Sequence, residues 1–121
     1  MKIAICAQSN DSSSNIDPRF GRAAFFGVFD TETNEWTFVP NQQNMQAAQG
    51  AGVQAAQAII DTGAEVLLAS NVGPKAMAGL GAGGIKVFAV ESNLTLQQAV
   101  DAYKDDKLKS IQQANVDGHW V

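Results

Sequence analysis

The stretch from residue 65 to residue 90 limits the fold of this chain more than any other part of it. It contains two short apolar runs, Val66–Ala69 and residues 87–90. Continuous apolar runs of this length are typical of strands covered on both faces of a parallel sheet. Between them, Pro74 suits the first position of a helix over residues 75–80, because a proline there loses no hydrogen bond. The stretch therefore predicts a compact β-α-β unit.

The loop that leads from the first strand of this unit into its helix is a candidate binding site. Ligands of open α/β sheets usually bind outside the carboxyl ends of the strands, and the loop follows such an end. We expect its functional residues to be Asn71, Gly73, Pro74 and Lys75.

Other parts of the chain supply further strands. Residues 2–7 are apolar and β-branched, which predicts a buried first strand with Cys6 near its carboxyl end. Residues 24–30 and 35–39 predict a hairpin across a short polar turn. With the two strands of the β-α-β unit, these runs predict an α/β fold whose mixed five-stranded sheet has helices packed on it.

Two further helices complete this interpretation. Residues 51–62 have apolar side chains at helical spacing, and we expect Val53 to belong to the buried row. Thr95 and Gln98 predict a capping box at the start of the last helix. Beyond that helix the sequence predicts only an extra turn around residues 108–111.

Composition limits the cellular location and the partners. The length of 121 residues fits one domain over residues 1–121, with a mobile tail from about residue 112. The net charge of -4 argues against nucleic acid, because binding to phosphates needs a basic face. No apolar run approaches the roughly 18 residues that span a bilayer, nor the roughly 7–15 of a signal peptide. We therefore expect a cytoplasmic protein without a membrane partner.

Three motifs occur in order along the chain: Asp-Pro-Arg-Phe-Gly-Arg-Ala (residues 17–23), Gln-Gly-Ala-Gly (49–52) and Asn-Val-Gly-Pro-Lys-Ala (71–76). Over roughly residues 1–110, this combination resembles the dinitrogenase iron-molybdenum cofactor biosynthesis family, which includes nitrogenase cofactor carriers and molybdenum-copper proteins of the orange-protein type. The resemblance implies a ribonuclease H-like fold and binding of a metal–sulfur cluster rather than catalysis. Many members have a histidine just before the glycine pair, where this chain has Gln49.

The chemistry of these loops is compatible with that function. Molybdenum–sulfur clusters are anionic, and proteins bind anions with backbone N–H groups at helix N-termini and in glycine loops, aided by basic side chains. A purely structural role is the alternative, in which Arg22 pairs with Asp17 or Asp30 and the glycines only make turns. The residues that we expect to bind the cluster are Cys6, Arg19, Phe20, Gly21, Arg22, Gln49, Gly50, Gly52, Asn71, Gly73, Pro74 and Lys75.

Two side chains are candidate metal ligands. Cys6 is the only thiol, and thiolates bind soft metals and sulfur clusters. His119 is the only histidine and offers an imidazole. The alternatives are that Cys6 is a small buried hydrophobe and that His119 is a solvated residue near a chain end.

The sequence favours a binding protein over an enzyme. The expected function is non-catalytic carriage or storage of a molybdenum-containing metal–sulfur cluster, of the iron-molybdenum or molybdenum-copper type. The alternative is a regulatory module that binds a small organic anion at the same helix N-termini. Catalysis is not expected, because no serine-histidine-acid set or paired catalytic carboxylates are present. Expected partners are a protein that donates or accepts the cluster and a second copy of the chain, whose Cys6 would add a thiolate.

Overall fold

A computed structural model describes residues 1–41 and 51–112. The strands form one mixed sheet, and helices lie on both of its faces. The strands are β1 (Lys2–Ala7), β2 (Phe25–Asp30), β3 (Glu35–Pro40), β4 (Val66–Ala69), β5 (Lys86–Ala89) and β6 (Lys109–Ile111). The helices are α1 (Ala51–Asp61), α2 (Pro74–Ala82) and α3 (Leu96–Lys104), and a single 3₁₀ turn spans Phe20–Arg22. In the described part of the chain, none of the helices has the length and apolar character that crossing a bilayer requires.

The order of strands across the sheet is β3-β2-β1-β4-β5-β6. β1, β4 and β5 are parallel to one another, whereas β2 is antiparallel to β1 and β3, and β6 is antiparallel to β5. The order along the chain of strand, hairpin, helix, strand, helix, strand and helix is as predicted. The α/β class and the mixed sheet are therefore confirmed.

The sixth strand corrects the predicted count of five and the turn expected around residues 108–111. After α3, Asp106 adopts a left-handed backbone with φ of 59°, and the chain then returns along β5 as β6. β6 is a short edge strand in which only Ile111 is partly buried. Since one apolar side chain makes no alternating pattern, the sequence contains no strand signal here.

The centre of the sheet is buried on both faces because β1 is apolar after Lys2. The residues of β1 that follow Lys2 are at most 1% exposed. Ala4 and Cys6 belong to the cluster formed with α1 and α2, whereas the residues that alternate with them pack with α3. This two-sided burial confirms the predicted first strand.

The helices confirm two predictions and correct one. In the capping box of α3, Thr95 N donates to Gln98 Oε1 at 2.9 Å, and Gln98 N donates to Thr95 Oγ1 at 3.2 Å. Pro74 is the first residue of α2, as predicted. Val53 was expected in the buried row of α1 but is 47% exposed. At 3.6 residues per turn, it lies about a third of a turn from the centre of the buried row, which contains Ala55, Ala56 and Ile59.

Cys6 lies in the core against the 3₁₀ turn. Its Sγ donates a weak hydrogen bond to the Phe20 carbonyl oxygen at 3.7 Å. Burial raises the pKa of the thiol far above its ordinary value, and the nearby Asp17 carboxylate raises that pKa further. The thiol is therefore neutral in the folded protein.

Gly27 in β2 allows close approach of side chains from β3 and α3. A Cβ atom there would lie 3.2 Å from atoms of Leu96, Phe38 and Trp36. We predict that Gly27→Val lowers the free energy of unfolding by about 1–3 kcal/mol, the usual cost of overpacking. Gly81→Ala in α2 is the control, because a Cβ atom there would meet nothing within 4 Å. Urea unfolding measures the free energy of unfolding of both variants. A Gly27→Val protein as stable as the wild type would contradict this packing.

Cys6 should make the free energy of unfolding dependent on pH. Because its pKa is higher in the folded than in the unfolded state, the contribution is fully present below the ordinary pKa of 9.0 and is lost as the pH rises above it. The expected loss is at most about 1.4 kcal/mol per pH unit. Urea unfolding between about pH 7 and 10 tests this, with Cys6→Ala as the control for other titrating groups. If the free energy of unfolding had the same pH dependence in the wild type and in Cys6→Ala, the thiol would ionise freely in the folded protein, which would contradict the prediction.

Candidate functional site

The candidate site lies at the carboxyl edge of the two central parallel strands. β1 and β4 pair through Ile3 with Val66, Ala4 with Leu67 and Ile5 with Leu68, so both strands end at the same edge. Beyond the strands, Arg19 and Asn71 form one further parallel bridge. This bridge joins the loop after β1 to the loop between β4 and α2. These two loops therefore lie side by side at this edge.

Residues 19–22, which we call the basic turn, are anchored by an aromatic side chain. Phe20 is 1% exposed, and its ring lies 6.1 Å from that of Phe26 between centroids. The turn closes through a hydrogen bond from Arg22 N to the Arg19 carbonyl oxygen at 3.2 Å. Gly21 is buried within it, whereas Arg19 is exposed and Arg22 half-buried. Two arginines thus extend from a fixed turn.

Asp17 connects the basic turn to the end of β1. Its backbone N donates to the Cys6 carbonyl oxygen at 2.9 Å, and its Oδ1 accepts a hydrogen bond from Arg19 N at 2.9 Å. Arg19 Nε lies 3.6 Å from the same Oδ1. The Arg19 side chain is 54% exposed, so this ion pair is a weak one and leaves the guanidinium accessible to solvent. Asp17 therefore pairs with Arg19, a partner that the sequence did not indicate.

Asn41 is a residue of this region that sequence reasoning missed. It follows Pro40 at the end of β3 and is 1% exposed. Its Nδ2 donates to the Ala23 carbonyl oxygen at 2.9 Å and reaches that of Gly21 at 3.5 Å. A single asparagine after a proline is typical of any loop, so no sequence signal distinguishes it.

The N-terminus of α2 forms the other side of the site. Gly73 is the N-cap residue, its backbone is extended, and no side chain caps the helix. Gly73 is buried and Asn71 is half-buried, whereas Pro74 and Lys75 are exposed. Because the first N–H groups of a helix have no partner within it, this end favours a negatively charged ligand.

The remaining predicted site residues lie beside the basic turn, in the core or outside the described residues. Gly52 is buried in the first turn of α1, the helix that packs on the basic turn. Cys6 lies next to the basic turn, but its thiol belongs to the core. Gln49, Gly50 and His119 lie outside the described residues. Within the described residues, no three His, Cys, Asp or Glu side chains are grouped as a metal site.

Two solved structures resemble this chain along nearly its whole length. The chain is 40% identical to the orange protein from Desulfovibrio gigas, solved in its apo form, with a TM-score of 0.93 over 95% of this chain and 96% of that one. It is 35% identical to a putative NifB protein from Thermotoga, with a TM-score of 0.83 over 97% and 98% of the two chains. Among curated proteins, no match is found.

The family comparison agrees with these structural likenesses. Residues 1–106 match the model of the family described as dinitrogenase iron-molybdenum cofactor. That span includes the described part of the candidate site, from the basic turn to the start of α2. The chain therefore belongs to the dinitrogenase iron-molybdenum cofactor family.

Proposed function

We propose that this protein binds, carries or stores an anionic metal–sulfur cluster without turning it over. The observation that carries the proposal is the bridge between Arg19 and Asn71, which holds the basic turn beside the N-terminus of α2. The cargo is a molybdenum-containing cluster, either of the iron-molybdenum type named in the family description or of the molybdenum-copper type implied by the sequence resemblance.

The donors at this edge suit the surface of a cluster whose metals are already bound to sulfur. Sulfide surfaces accept hydrogen bonds and attract cations, and the edge offers arginine, lysine and backbone N–H groups. Since the whole chain has a net charge of -4, the attraction has to come from this local arrangement. The proposed binding residues are Arg19, Phe20, Gly21, Arg22, Gln49, Gly50, Gly52, Asn71, Gly73, Pro74 and Lys75.

In this proposal, direct metal ligation by Cys6 or His119 contributes less to the binding free energy than the N–H and cationic donors do. For Cys6 to act as a ligand, its thiol has to leave the Phe20 carbonyl and lose its proton, both of which burial opposes. A fixed set of N–H and cationic donors requires no such rearrangement. The proposal therefore assigns most of the binding free energy to these donors.

The proposal includes the wider context that the sequence predicted. The cluster is exchanged with a donor or acceptor protein, and two copies of the chain associate as a homodimer. The protein is non-catalytic and cytoplasmic. The proposed fold type is ribonuclease H-like, and the order β3-β2-β1-β4-β5 of the first five strands, with β2 antiparallel to its neighbours, supports it.

A regulatory module for a small organic anion is the second candidate function. The uncapped N-terminus of α2 favours it, because such an end binds a carboxylate or a phosphate as well as a cluster. Colour distinguishes the two functions, since a metal–sulfur cluster absorbs visible light and an organic anion does not.

The direct test is an anaerobic titration of the apo-protein with tetrathiomolybdate, alone and with copper. Visible absorbance is followed during the titration, and metal content is measured after desalting. We expect colour to be retained at a fixed stoichiometry. If all colour is lost on desalting, these two cargoes are excluded, and binding of a carboxylate or phosphate by the same protein would favour the regulatory function.

Removal of basic side chains should weaken this binding. We predict that Arg22→Ala lowers the apparent affinity for the cluster about tenfold, and that Lys75→Ala, which removes a more exposed charge, lowers it about threefold. Lys86→Ala is the matched control for Lys75, because Lys86 is also exposed but lies at the amino end of β5. Equal affinities in all three variants and the wild type would contradict the proposed site.

A further inference from the structure

Asn41 is a buried polar residue that the proposed set of cluster-binding groups does not include. Its side chain is enclosed at the end of β3, and the residue is 1% exposed. Burial of an amide costs free energy unless its donors find acceptors. The acceptors that Asn41 uses therefore indicate which part of the fold depends on it.

These acceptors lie on both sides of Arg22. Asn41 Nδ2 donates to the Ala23 carbonyl oxygen at 2.9 Å and approaches that of Gly21 at 3.5 Å. The backbone N of Asn41 donates to the Ala24 carbonyl oxygen at 2.9 Å. The residue that follows β3 thus contacts the chain on both sides of Arg22.

The chemistry of asparagine explains this residue type. An amide nitrogen carries two N–H donors at the end of a short side chain, so it can serve two carbonyl oxygens at once. Serine has one donor and a shorter reach. Leucine has no donor and would leave both carbonyls without this partner.

We infer that Asn41 is a positioning residue for anion binding by Arg22, an inference that rests on the proposed function. An arginine side chain is long and loses rotational freedom when it binds, so its contribution depends on a fixed backbone beneath it. Asn41 supplies that fixed backbone by donating to the carbonyl oxygen of Ala23, the residue after Arg22, and by a longer contact with that of Gly21, the residue before it. It acts through Arg22 and does not contact the cluster.

A double-mutant cycle tests this role with the tetrathiomolybdate and copper titration. The variants are Asn41→Ser, Arg22→Ala and the two combined, and Asn93→Ser is the control for the same change at an exposed position. We expect Asn41→Ser to weaken binding about fivefold, and the double variant to bind within about twofold of Arg22→Ala alone. Additive losses of about fiftyfold would overturn the inference, because Asn41 would then act independently of Arg22.

Amide hydrogen exchange tests the same role without any cargo. In Asn41→Ser, the Arg22 amide should exchange at least about tenfold faster, whereas the amides of Ala4 and Leu67 in the central strands should keep their wild-type rates. An unchanged Arg22 amide overturns the inference. If Asn41→Ser does not fold, Asn41→Gln replaces it, because this variant keeps the amide but displaces it by one methylene group.

The two readouts separate this inference from the proposed function. If the wild type retains neither tetrathiomolybdate nor its copper adduct, the proposed carriage of these two cargoes fails and the role of Asn41 in binding them fails with it, whatever the exchange rates. If the wild type retains the cluster but the cycle is additive or the Arg22 amide is unchanged, only the positioning role fails. A coupled cycle together with faster exchange at Arg22 supports both.

Discussion

The parallel pairing of β1 with β4 is the constraint on which the rest of the structure depends. It places the carboxyl ends of both central strands at one edge of the sheet, so the loops that follow them are neighbours although about sixty residues separate them in sequence. The isolated bridge between Arg19 and Asn71 joins these loops beyond the strands. Because β1 is buried on both faces, the position of this edge is set by the core and not by the loops themselves.

Magnitudes show why such an arrangement matters for the proposed binding of an anion by an acidic protein. An exposed ion pair contributes about 0–1 kcal/mol, and a helix N-terminus typically about 0.3–1 kcal/mol. A micromolar dissociation constant corresponds to about 8 kcal/mol. No single group at the carboxyl edge is sufficient for micromolar binding. Several donors therefore have to be held together before the ligand binds. The bond of Asp17 to the basic turn, the bond of Asn41 to Ala23 just after it, and the glycine cap of α2 serve that purpose in our account.

Much of the fold follows from local patterns, but the site follows from them only in part. Apolar runs predicted the central strands, and the capping box of Thr95 and Gln98 predicted the start of α3, because both signals lie within a few neighbouring residues. β6 was missed since a three-residue edge strand has no pattern of its own. Asn41 was missed for a different reason: its role arises from contact with residues about twenty positions earlier, which no local motif encodes. For Cys6, the sequence left open both a ligand and a small buried hydrophobe, and its place in the core agrees with the second.

The measurement that tests the central claim most directly is anomalous diffraction at the molybdenum absorption edge from crystals of the protein loaded with the cluster. We predict an anomalous peak at the carboxyl edge of β1 and β4. The outer sulfur atoms of the cluster should lie within contact distance of Arg22 and of the first N–H groups of α2. A peak elsewhere on the sheet, or one within bonding distance of Cys6 Sγ in an opened core, would contradict the account.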